Sequence, residues 1–281
     1  MGIRNLAYCV IDVPSDSTSS GTILHLHSWK RLDLLGRLKN HNPTSRDGDT
    51  EAASSPSDAN AILKDAFTPS IMSKAALSVA QDFLKYKPDT ILIERQRFRS
   101  GGGSAIQEWT VRVNTLESML WACFETLKSS QAKKSAKEFP TVYEASPKRV
   151  ASFWTAPQGC HLPSADLLSE GYKPPDTRLA GMKGRAAATG KKEKISVLRS
   201  WLDGTGEVSL SFSSETEATA TAFATGTARR KTKKTDDAVA DDAKRESKLD
   251  DLADCVLQGA AWMRWEENRR AIVNAVSERA V

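Results

Sequence analysis

Residues 248–262 read KLDDLADCVLQGAAW, which places Asp250, Asp251 and Asp254 within five positions. From Cys255 to Met263 only Gln258 is strongly polar, so the acids open a segment that then turns apolar. Two kinds of chemistry account for such a turn. Acids in the first turn of a helix interact well with its macrodipole and its free N–H groups. Crowded carboxylates are also what a divalent cation holds together. A further acid, Glu94, directly follows the apolar triplet Ile91-Leu92-Ile93. That is the C-terminal end of what reads as a central strand, where ligand sites of open α/β sheets lie. Two-metal phosphodiester hydrolysis needs carboxylates from separate elements, around ions about 4 Å apart.

Basic residues accompany these acids. Arg95, Arg97 and Arg99 follow Glu94, with Phe98 among them and Gly101-Gly102-Gly103 after. Lys148 and Arg149 begin one helical segment, and Lys191, Lys192 and Lys194 line another. Lysine and arginine at helix starts and glycine-rich turns suit phosphate contacts, although any one of them also reads as solvated surface charge. A net charge of +5 and a pI near 9.0 are compatible with an anionic partner such as nucleic acid. Cys9, Cys123, Cys160 and Cys255 are far apart and lack CxxC spacing, which argues against a zinc ribbon and for reduced thiols. His25 and His27 share a strand face and read as surface residues rather than ligands. No apolar run approaches a membrane span, and no secretory signal or mitochondrial presequence is visible.

Elements that must position these residues follow from periodicity. Residues 3–13 and 22–29 read as strands, the second half-exposed. Residues 70–86 read as a helix with a serine cap, 90–94 as a short buried strand and 106–128 as a helix. Residues 139–145 read as another strand, followed by a helix with Ser146 as cap and Pro147 at its first position. Residues 190–202 form a basic helix, and the last helix runs from about 249 to 278. The order predicts an α/β fold with one central sheet. The whole chain of 281 residues reads as a single domain. Two low-complexity stretches, 40–59 and 203–247, are expected to be disordered insertions.

Three segments together resemble one family: GIRNLAYCVID at 2–12, ILIERQRFRSGG at 91–102 and KLDDLADCVLQGAAW at 248–262. They are similar to the fungal mitochondrial Holliday junction resolvases, RuvC-like nucleases of the ribonuclease H-like superfamily. SPKRVASFW at 146–154 and KKEKI at 191–195 resemble the family's connecting elements. The resemblance implies a ribonuclease H-like fold with a five-stranded mixed sheet flanked by helices. It also implies a homodimer, mitochondrial location, and Mg2+-dependent (or Mn2+-dependent) paired nicks across four-way junction DNA. By the same resemblance Glu94 is the second acid of the site, and Asp251 and Asp254 are the last two, with Asp250 the alternative partner of Asp254.

The first acid is the departure. In the family an Asp on the first strand directly precedes the segment that here reads MGIRNLAYC. Asp12 lies too far along, on the order of 35 Å away by strand rise. The resemblance therefore implies a missing ligand and half a missing strand, from a truncated reading frame or an inactive paralogue. The expectation is that residues 1–281 cleave junctions poorly. The alternative function is a catalytically impaired junction- or DNA-binding protein of the same fold.

Overall fold

The computed structural model describes residues 6–13, 23–34, 67–96, 108–132, 138–155, 191–225 and 236–279. Strands β1 (Leu6–Asp12), β2 (Ile23–Leu32), β3 (Thr90–Glu94), β4 (Thr141–Ala145) and β5 (Ser209–Phe212) are accompanied by six helices among these residues. The helices are α1 (Pro69–Leu84), α2 (Glu108–Ala132), α3 (Pro147–Thr155), α4 (Lys191–Leu202), α5 (Ser214–Thr225) and α6 (Asp236–Arg279). The α/β class is as the periodicity predicts. The single five-stranded sheet is not found: the described strands form one sheet in the order β1-β2-β5 and another of β3 and β4. The ladders are short, with five residues in each of β3 and β4 and four in β5, and the pairing that would join the sheets does not occur among the described residues. The chain divides into two compact units: residues 1–7 with 31–145, and residues 8–30 with 146–281. The stretch 40–59 lies outside the described residues. No described helix is long and apolar enough to cross a membrane.

The first unit is built on a β3–α2–β4 crossover, the connection that a parallel pair requires. β3 and β4 run parallel from Thr90 opposite Thr141 to Glu94 opposite Ala145. In β3 the side chains of Ile91 and Ile93 are buried. Helix α1 buries Met72, Ala75, Ala76, Val79 and Ala80, an apolar stripe at helical spacing. Its N-cap is Thr68, in extended conformation, with Pro69 in the first turn. The helix thus starts before the serine expected to cap it, because proline's fixed φ suits the first position. Val113, Leu116, Leu120 and Phe124 of α2 complete the core.

In the second unit α6 packs against α3 and α4. It buries Leu252, Ala253, Val256, Leu257, Ala260 and Ala261. Strands β2 and β5 pair in parallel, from Ile23 opposite Ser209 to Leu26 opposite Phe212. Gly204, at φ +70°, turns the chain out of α4, and the N–H groups of Thr205 and Gly206 bond back to the Ser200 carbonyl at 2.9 and 2.8 Å. Glycine adopts this left-handed backbone at low cost.

The stretch 203–247, expected to be disordered, contains ordered structure through Thr225: strand β5 and helix α5. Its threonine- and alanine-rich composition concealed a helical stripe of Thr216, Ala220 and Phe223, all buried. The start of α5 is stitched to β2. Ser213 N–H donates to the Leu26 carbonyl at 3.1 Å, Ser213 Oγ donates to the His27 carbonyl at 2.9 Å, and Thr216 Oγ1 donates to the Leu26 carbonyl at 2.9 Å. The Phe223 ring is fully buried, 5.5 Å from that of Trp29. Substituting Phe223→Ala is expected to destabilise the fold by about 3–5 kcal/mol, the usual range for a buried aromatic. Urea denaturation measures this, and an unchanged midpoint would mean that α5 does not pack as described.

Candidate functional site

The three clustered acids do not open a helix. Helix α6 begins at Asp236, so Asp250 stands about four turns inside it. Capping and the helix macrodipole act only over the first turn, so neither explains these carboxylates. Their surroundings do. The ammonium of Lys194, on α4, lies 2.8 Å from Asp250 Oδ1 and 2.7 and 2.8 Å from the two carboxylate oxygens of Asp254. The pair gathered on one cation is therefore Asp250 with Asp254, one turn apart at i, i+4. Asp250 is buried, and Asp251 and Asp254 are half-buried.

All three partners are largely shielded, with side-chain exposures of 16% for Lys194, 10% for Asp250 and 23% for Asp254. Burial pulls the lysine's pKa down, and the Asp254 and Asp250 carboxylates more than offset this, so the ammonium is held above its ordinary value. Three hard oxygen donors within 2.8 Å of one cationic atom fit a small cation, and carboxylate oxygen is the donor magnesium prefers. Among the described residues, however, no group of three or more acidic, histidine or cysteine side chains is gathered as a metal site.

Two indoles fix the helix that carries the pair. Trp29 Nε1–H donates to the Leu252 carbonyl at 3.0 Å, and Trp154 Nε1–H donates to the Leu257 carbonyl at 2.9 Å. Trp154 also meets Trp201 of α4 edge-on, with ring centroids 4.7 Å apart. The helix bearing Lys194 is thus packed against the residue that anchors α6. Beside Asp254, burial pushes the Cys255 thiol well above its ordinary range, with the Cys9 sulfur next to it adding to the shift. Cys255 is therefore a packing residue rather than a nucleophile.

In the first unit Glu94 is the last residue of β3 and is half-buried. The strand exit beyond it is held closely. Arg95 N–H donates to the Ala145 carbonyl at 2.9 Å, Gln96 N–H to Glu117 Oε2 at 2.8 Å, and Gln96 Nε2 to the Glu94 carbonyl at 3.2 Å. The Arg95 guanidinium lies 3.3 Å from Glu144, an exposed pair of little energetic weight. Glu117 was not singled out in the sequence. Its signal there is faint: an acid one turn after Val113 and next to Leu116, at the edge of the buried face of α2. Burial raises its carboxyl pKa; the Gln96 N–H and Arg95 oppose this, and the charges of Glu144 and Glu94 add to it.

The proposed phosphate contacts separate into groups. Lys148 and Arg149 are exposed on the first turn of α3, and Lys192 is exposed on α4. The Arg149 guanidinium sits 5.1 Å from the Trp265 ring centroid. Lys194 faces inward onto the acids, not outward as a phosphate contact would. Arg97 and Arg99 lie outside the described residues, as does the side chain of Lys191. His25 and His27 do not act together, since His25 Nδ1 meets Ser211 Oγ at 3.0 Å while His27 lies 3.9 Å from Asp12.

A carboxyl whose folded pKa is raised weakens the fold above that pKa, and the penalty disappears below the unfolded value of about 4.5. Glu117→Gln keeps an acceptor for the Gln96 N–H and removes the charge. It is expected to raise the melting temperature at pH 8, with the gain fading as pH falls to 4. A lower melting temperature at pH 8 would show that the charge is needed.

The family model described as mitochondrial resolvase Ydc2 / RNA splicing MRS1 matches residues 1–272. The chain is 25% identical over 267 residues to "Cruciform cutting endonuclease 1, mitochondrial" of Schizosaccharomyces pombe, covering 95% of this chain and 76% of that protein. It is 24% identical over 197 residues to the protein of the same name from Saccharomyces cerevisiae, covering 69% of this chain and 53% of that protein, about half its length. No solved structure gives a significant match. Both relatives are named mitochondrial, which agrees with the location that the resemblance implies. With the match running over nearly all of its residues, the chain belongs to the mitochondrial resolvase Ydc2 / RNA splicing MRS1 family.

Proposed function

We propose that this chain is a structure-selective endonuclease that resolves four-way DNA junctions by paired phosphodiester hydrolysis in mitochondrial DNA recombination. The observation that carries the reading is the Asp250–Asp254 pair, gathered on one cation well inside a helix where capping has no part. The names of the two relatives support it. A ribonuclease H-like fold and a homodimer belong to the same proposal, because paired nicks need two active sites.

Asp250 and Asp254, with Asp251 beside them and Glu94 at the end of β3, are the carboxylates proposed to hold Mg2+, or Mn2+ in its place. A bound divalent ion supplies an activated water near neutral pH and stabilises charge on the phosphoryl oxygens. The protein's own part is positional. The Trp29 and Trp154 anchors hold α6 in place, and the Gln96–Glu117 bond holds the strand exit beyond Glu94. Arg95, Arg97, Arg99, Lys148, Arg149, Lys191 and Lys192 are the proposed phosphate contacts, which fix the junction in place without reading its sequence.

A synthetic four-way junction tests this. In Mg2+, Asp254→Asn and Glu94→Gln are each expected to slow nicking by about a hundredfold or more while leaving junction binding within a few fold. Unimpaired cleavage by both variants would remove the proposed roles. Competition with duplex DNA and RNA–DNA hybrid checks structure selectivity.

A second reading is a nucleic-acid-binding protein that keeps the basic surface and does not cut. The seating of the Lys194 ammonium between the two carboxylates favours it. Tight junction binding with no nicks from either the unaltered chain or Asp254→Asn would select it. Under both readings, Lys148→Ala and Arg149→Ala should weaken binding to all DNA substrates. Each should flatten the log K against log salt plot by about 0.9 for a lost duplex phosphate contact. An unchanged slope would show that the residue does not touch phosphate.

A further inference from the structure

We propose that Lys194 is a resident counter-cation, displaced from the Asp250–Asp254 pair when a divalent ion binds, and that the released ammonium then becomes a phosphate contact. This rests on the metal-dependent reading above and adds an exchange step to it.

The geometry supports exchange rather than coexistence. One ammonium nitrogen lies within 2.8 Å of three carboxylate oxygens, so it fills the position where the two side chains converge. A magnesium-sized ion takes oxygen ligands at about 2.0–2.1 Å and cannot enter with that nitrogen in place. Two positive charges a few ångströms apart in a shielded site also repel strongly. With twice the charge and shorter contacts, the divalent ion has the stronger hold on the same oxygens.

Lys194 is suited to leave. It stands on α4 while both acids stand on α6, and the link is made only through side-chain ends, so neither helix need move. Its four-carbon stem is flexible. Lys192 of the same helix is already exposed, so α4 presents positive charge to solvent into which a second ammonium could swing. Without a metal, Lys194 offsets the charge of two closely spaced carboxylates in a shielded site.

The test follows Lys194 in the unaltered chain of residues 1–281. The chain is treated with an amine-acetylating reagent with and without Mn2+, and acetylation is read by mass spectrometry against Lys192 as the exposed reference. Mn2+ should raise acetylation of Lys194 severalfold and leave Lys192 unchanged. Binding of Mn2+, followed by electron paramagnetic resonance, should be about tenfold tighter in Lys194→Met, which loses a unit charge at short range. Unchanged acetylation at saturating Mn2+, or no gain in affinity in the methionine variant, overturns the exchange. The acetylation arm stands even if that variant folds poorly. A parallel junction assay separates the two readings. Metal-dependent cleavage with Lys194 still protected refutes only the exchange. Exposure of Lys194 by Mn2+ without cleavage supports the exchange and refutes the nuclease.

Discussion

The second unit depends on two indole hydrogen bonds to the backbone of α6. Trp29 grips the Leu252 carbonyl and Trp154 the Leu257 carbonyl, five residues further on. Both bonds are buried, and a buried carbonyl stripped of such a partner costs more than an ordinary hydrogen bond contributes. They act as two fixed points along the helix and set its rotation as well as its depth. Asp250 and Asp254 flank the first of these points. Where their carboxylates sit is therefore decided by tryptophans on a strand and on another helix, not by the acids themselves.

The aromatic contacts extend this hold to the partner of the acids. Trp154 packs edge-on against Trp201, which is about two turns beyond Lys194 on α4. Trp29 packs on Phe223, so the short helix α5 is part of the same support. The ion pair thus joins two helices already positioned by apolar packing. This order of causes suits a buried pair, whose mutual attraction does little more than offset its own desolvation.

Much of the architecture was legible in the sequence, and the exceptions have physical reasons. Ala75 and Val79 in one helix and Val113, Leu116 and Leu120 in the other marked their helices because burial enforces helical spacing. Glu94 was placed correctly at its strand end because an apolar triplet stops there. The helix around KLDDLAD was recognised but its start was not. Charge was read as a terminus, whereas the helix extends well upstream through a polar segment that pattern alone could not assign. Helix α5 escaped because two of its three buried positions, Thr216 and Ala220, are small or hydroxylated, and Thr216 holds its place through a hydrogen bond to Leu26, not through hydrophobicity. Lys194 was read as a phosphate contact for a similar reason. A lysine's spacing does not reveal which way its long side chain turns, and here two carboxylates on a distant segment decide it. Glu117 was missed because its partner is a backbone N–H, which leaves no trace in residue type.

The placement of the acids inside a continuous helix also limits how the chain can change. A loop can absorb an extra residue, whereas a helix converts it into rotation. One residue inserted between Asp250 and Asp254 would turn everything beyond it by about 100°. Asp254 would leave the Lys194 ammonium, and Val256, Leu257, Ala260 and Ala261 would swing out of the core in the same step. The spacing of the acids and the register of the core are therefore one property, and a lineage can alter the length of this segment only by losing both.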